Sequence, residues 1–154
     1  MSTNLYIVRH GKMNRDEANR GEYLHLSDEG MAFDAYLDKH FKGIYFDHIF
    51  YQSIDSKNSD PYNLCRNTIQ GMKGVKTVFD KTQVSHVFRA LNEEGAPAQN
   101  VMICFRAEGY NVISNIISPA SQEQFNIEYH RVFQYQFSGN NYKFMGKFSE
   151  KELH

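Results

Sequence analysis

Short apolar runs alternate along the chain with stretches in which apolar residues recur at helical spacing, the rhythm of an α/β domain. Leu5-Tyr6-Ile7-Val8 forms a candidate buried strand that stops at Arg9-His10-Gly11. The polar stretch 15–23 reads as a loop or a short helix. Ser27 then offers an N-cap, Asp28 and Glu29 acidify the first turn, and Met31, Ala35, Leu37 and Phe41 supply an apolar side up to Gly43. A second strand is expected over 47–52. A polar loop follows it, ending in Asp60-Pro61, the cap and first-turn residues of a helix in which Leu64, Thr68, Ile69 and Met72 recur as far as Gly74. Segment 75–79 reads as a third strand and 84–91 as a short helix. The most apolar segment, 100–105, is the candidate central strand. Tyr110, Ile113, Ile116 and Ile117 make a helix that stops before Pro119. Two aromatic strands close the chain, Val132 to Phe137 and Tyr142 to Phe148, joined by a tight turn at Ser138-Gly139-Asn140-Asn141. No repeat or linker divides the sequence, so the expectation is one domain over 1–154, a three-layer α/β/α arrangement on a largely parallel sheet.

Composition narrows the function classes. A length of 154 residues suits one domain that buries about two thirds of its unfolded surface. The balance of 17 Lys plus Arg against 18 Asp plus Glu leaves a charge of −1, so nothing global draws the chain to nucleic acid or to an anionic membrane. Any anion must be held by a local cluster. A hydrophobic share of 41% argues against disorder. The longest apolar run, Val101 to Phe105, is far short of the roughly 20 residues of a membrane span. The first residues have no long apolar core of the secretory kind. Cys65 and Cys104 are expected to be reduced, buried thiols of a cytoplasmic protein.

The chemistry is expected where the first strand ends. In an open α/β sheet, ligands collect outside the carboxyl ends of the strands. There a neutral His10 is a nucleophile suited to phosphorus, Arg9 can hold phosphate oxygens in a fork, and Gly11 lets the backbone come close. Nearby guanidinium groups depress a histidine pKa and keep the ring unprotonated. The other histidines, His25, His40, His48, His86, His130 and His154, are scattered with no pair at metal-ligand spacing, and read as surface or structural residues. The closing aromatics read as sheet packing, because no basic groove accompanies them.

The strand Leu-Tyr-Ile-Val-Arg-His-Gly within the first eleven residues, the helix start Leu26-Ser27-Asp28-Glu29-Gly30 with Ala32, and the strand ending at Ser53 followed by Leu64-Cys65-Arg66-Asn67-Thr68 together resemble the histidine phosphatase superfamily, also called phosphoglycerate mutase-like. The resemblance implies that fold and a phosphomonoester or phosphohistidine phosphatase working through a phosphohistidine, with no metal or cofactor. By position, His10 would be the nucleophile, Arg9 and Arg66 would clamp the phosphoryl oxygens with Gly11 beside them, and the substrate would be a phosphorylated small molecule or a phosphoprotein. Lys57 competes with Arg66 for the clamp if the loop holds no insertion. Where the family carries its second histidine, this chain has Arg106, which binds phosphate but donates no proton at neutral pH. That departure opens the alternative of a catalytically silent relative that binds a phosphorylated ligand in an arginine-lined pocket. Asp80, Glu93 and Glu94 are the candidate general acids. The pocket is expected to be shallow and open.

Overall fold

The computed structural model describes residues 3–13, 26–53, 63–91, 100–117, 125, 128–138 and 141–149. Its elements are β1 (Thr3–Arg9), α1 (Asp28–His40), β2 (Tyr45–Gln52), α2 (Leu64–Thr68), β3 (Lys73–Phe79), α3 (Val84–Leu91), β4 (Asn100–Phe105), α4 (Tyr110–Ile117), β5 (Val132–Ser138) and β6 (Asn141–Phe148). The strands pair into one sheet in the order β3-β2-β4-β1-β5-β6. β1 to β4 are mutually parallel, and β5 and β6 close that edge as an antiparallel hairpin.

Side chains of a strand alternate between its faces, and a strand covered on both faces is apolar throughout. Leu5 and Ile7 of β1, with Val101, Ile103 and Phe105 of β4, therefore meet Val84 and Phe88 of α3 and Ile113 of α4. Tyr6, Val8, Met102 and Cys104 turn the other way, onto Phe33 and Leu37 of α1 and Cys65 and Ile69 of α2. This is the expected three-layer, largely parallel architecture. The aromatic hairpin contributes Phe133, Tyr135 and Phe137 to the first of these cores, which is a packing role. Cys65 and Cys104 are buried free thiols. Among the described residues, no helix is long and apolar enough to cross a membrane.

α1 starts where its cap chemistry places it, with the Ser27 hydroxyl accepting from the Gly30 amide at 3.1 Å. α2 differs from expectation. It is five residues long, not a helix running to Gly74, and its cap is Asn63, whose Oδ1 accepts from the Arg66 amide at 2.9 Å. Ile69 closes it by donating to Cys65 O, and Met72 then leads straight into β3. Ile69 and Met72 are buried from a turn, which satisfies the same apolar spacing as a helix does. Asp60 and Pro61 lie outside the described residues.

Candidate active site

Residues 9 to 12 are tied down one after another. Arg9 pairs with Phe105 across β1 and β4, and the His10 amide continues that ladder by donating to Phe105 O at 3.1 Å. The Gly11 amide donates to the Thr68 hydroxyl at 2.8 Å, and that hydroxyl donates back to Leu64 O. The Lys12 carbonyl accepts from the amide and the hydroxyl of Ser27. The Lys12 amide donates to Nε2 of His130 at 3.0 Å, from a residue held at a positive φ of 63°. Gly11 and Gly30 face each other so closely that a Cβ on Gly11 would stand 3.0 Å from the Gly30 backbone. The chain leaves β1 towards α1 on one face of the sheet and leaves β4 towards α4 on the other, so a crevice opens between the two strand ends.

His10 sits at that crevice, 2% exposed. Its Nδ1 lies 2.8 Å from Gly11 O. A carbonyl only accepts, so Nδ1 carries the proton, and in the neutral ring Nε2 is left with its lone pair. Nε2 makes no hydrogen bond among the described residues. Burial pushes the His10 pKa down to about 4; Arg106 and Arg9 add to the depression, while the Gly11 carbonyl and Glu108 oppose it. The ring is therefore neutral at physiological pH.

Two guanidinium groups and an aromatic ring frame it. The Arg9 guanidinium carbon lies 3.8 Å from the centre of the Tyr129 ring, a cation–π contact, and the same ring stands edge-on to His10 at 5.7 Å. Arg106, the first residue beyond β4, is the stronger of the two cations acting on His10. Its Nε donates to Glu108 Oε2 at 3.2 Å, and its terminal amino groups make no hydrogen bond among the described residues. At the neighbouring strand end the buried Ser53 hydroxyl has no hydrogen-bond partner among the described residues, and neither has the side-chain amide nitrogen of Asn63 at the start of α2.

Of the residues expected here, Arg9, His10, Gly11 and Arg106 are brought together. Arg66 is exposed, and it is not among the charges that act on His10. It lies two residues before Thr68, about 200° around the helix, so the face turned to Gly11 carries Leu64 and Thr68 in its place. Asp80 caps the turn after β3, accepting from the Thr82 amide at 2.8 Å. β3 is three strand spacings from β1 in the sheet, about 14 Å, so Asp80 does not reach His10. Lys57, Glu93 and Glu94 lie outside the described residues. Tyr129, Gln52 and Glu108 are not among the residues expected here, while His130, expected as a surface or structural histidine, holds the Lys12 amide. Only Glu108 carried a signal in the sequence, a carboxylate two residues after an arginine at a strand end. A cleft of about 500 Å³, lined by Glu29, Phe33, Arg131 and Ser149 among others, shares Tyr129 and His130 with the site, although His10 does not line it.

No family model and no curated protein sequence matches this chain. Solved structures do. The protein histidine phosphatase SixA in complex with tungstate superposes with a TM-score of 0.74 at 15% identity, over 99% of this chain and 100% of that one. Phosphoserine phosphatase from Entamoeba histolytica in complex with 3-phosphoglyceric acid gives 0.64 at 13% identity, over 99% and 100% of the two chains. Phosphoglycerate mutase from Bacillus anthracis str. Sterne gives 0.63 at 12% identity, over 94% and 92%. The strand order, the helical layers and these superpositions together give this chain the phosphoglycerate mutase-like fold.

Proposed function

We propose that this chain is a phosphatase that takes the phosphoryl group of a phosphomonoester or a phosphohistidine onto Nε2 of His10. The observation that carries the reading is the buried neutral imidazole, its Nδ1 proton engaged by Gly11 O and its Nε2 left with a lone pair, between Arg9 and Arg106. Nε2 attacks phosphorus, the P–N bond forms as the bond to the leaving group breaks, and the two guanidinium groups hold the charge spread over the phosphoryl oxygens. Water then attacks the phosphohistidine, releasing inorganic phosphate and restoring the neutral ring. Arg106 holds charge throughout but moves no proton, so protons reach the leaving group from elsewhere. The cleft shared through Tyr129 and His130 gives the rest of a phosphorylated small molecule, or a phosphoprotein side chain, a place to lie. The relatives in structure that act on phosphohistidine and phosphoserine support this choice of substrate chemistry.

A second reading draws on Arg106 itself, since a guanidinium where a histidine would stand keeps the anion site and gives up proton transfer. In that reading the chain binds a phosphorylated ligand without turning it over. Release of phosphate from an aryl phosphate and from a phosphohistidine peptide, without added metal, separates the two. The catalytic reading expects turnover that falls at least about 10³-fold in His10→Ala. A His10→Ala variant as active as the parent would contradict the mechanism, and orthovanadate binding with no turnover of either substrate would favour the silent reading.

A further inference from the structure

The turn after β4 brings Gln52 and Glu108 to Arg106. The Arg106 amide donates to Oε1 of Gln52 at 2.8 Å, and Gln52 is itself buried at the end of β2. The Gly109 amide donates to Arg106 O at 2.9 Å, and a Cβ on Gly109 would press within 2.5 Å of that same Gln52 oxygen. Two strand ends and a tight turn thus fix the main chain of Arg106. Its side chain is 12% exposed, and its Nε is held by a Glu108 carboxylate that is half in solvent. An arginine tethered through Nε presents its two terminal amino groups from the opposite edge, the fork that matches phosphoryl oxygens. A carboxylate beside an anion site repels the anion, so charge alone gives no reason for one here.

We propose that Glu108 is a positioning residue of the phosphoryl site, which holds Arg106 by its Nε edge while Gln52 holds the main-chain amide, so that the terminal amino groups meet a phosphoryl group on His10. The inference rests on the phosphoryl-site reading above. Without the tether, a long arginine side chain spreads over many rotamers, and the ordering is charged to each binding event.

Calorimetric titration of the full chain with orthovanadate tests it. Glu108→Gln keeps an oxygen to accept from Nε and removes the repelling charge, so it should bind vanadate at least as tightly as the parent. Glu108→Ala removes both and should bind about tenfold more weakly than Glu108→Gln. Equal tightening in the two variants, the result of charge alone, would overturn the proposal, as would affinities unchanged in both. Recovery of affinity in Glu108→Gln is the readout that a merely structural role would not move, because the amide oxygen still accepts from Nε. Since half of Glu108 is in solvent, both variants should keep the parent Tm. Failure of the parent itself to take up vanadate would sink the phosphoryl-site reading, whereas parental binding with alike variants would sink only the role of Glu108.

Discussion

Burial, ahead of the two arginines, is what keeps His10 neutral. The consequence for stability has a definite sign. The folded pKa is about 4, and an unfolded histidine titrates near about 6.5. Between those values the unfolded chain binds more protons, so stability that is fully present above pH 6.5 is lost as the pH falls towards 4. A gap of that size corresponds to about 3 kcal/mol. Urea unfolding at pH 7 and at pH 4.5 should show the parent losing roughly 2–3 kcal/mol more than His10→Gln. The comparison between variants matters, because His40 shifts in the same sense as His10 and the buried Asp34 in the opposite one. Equal losses would mean that His10 is not desolvated. The acid limb of kcat/KM should likewise fall near pH 4. Tyr129→Ala opens the ring to water, so the His10 titration should rise towards 6.5 and carry that limb with it; an unmoved limb would mean that Tyr129 does not shield the site.

At the scale of elements, the site depends on how closely α1 presses on the loop after β1. Gly30 lies in the first turn of α1, and a Cβ there would overlap the Lys12 carbonyl oxygen. In an exposed helix, alanine in place of glycine stabilises by up to about 1 kcal/mol. Here the sign should reverse, since the clash is with backbone and the 10–12 loop must move; a cost of about 1–3 kcal/mol and weaker vanadate binding are expected. A raised Tm in Gly30→Ala would contradict this packing. Part of this arrangement is encoded locally in the sequence. Arg9-His10-Gly11 and the Ser27 cap are local patterns at element ends, and β4, α3 and α4 follow from apolar periodicity. α2 is shorter than its apolar spacing predicts because Ile69 and Met72 fit a buried turn as well as a helix. Gln52, Glu108 and Tyr129 take their places only from the order β2-β4-β1 and from the return of the chain ahead of β5, which no local pattern encodes. Arg66 failed to join the site for a related reason, as the helix phase set by Thr68 turns it outward.

Across the whole molecule, a charge of −1 over 154 residues conceals two guanidinium groups brought together at the carboxyl ends of the central strands β1 and β4. Arg9 and Arg106 arrive there from adjacent parallel strands; Tyr129 lies against Arg9, Glu108 accepts from Arg106, and His130 holds the Lys12 amide. Superposition on SixA covers 99% of this chain, so the domain holds little beyond the shared fold. The most direct measurement of the central claim is a crystal structure of the full chain with orthovanadate. Vanadium should be bonded to Nε2 of His10, with its oxygens met by the Arg9 guanidinium and by the terminal amino groups of Arg106. Vanadate bound away from His10, or a His10 ring that meets it through a protonated Nε2 without a bond to vanadium, would rule out His10 as the nucleophile.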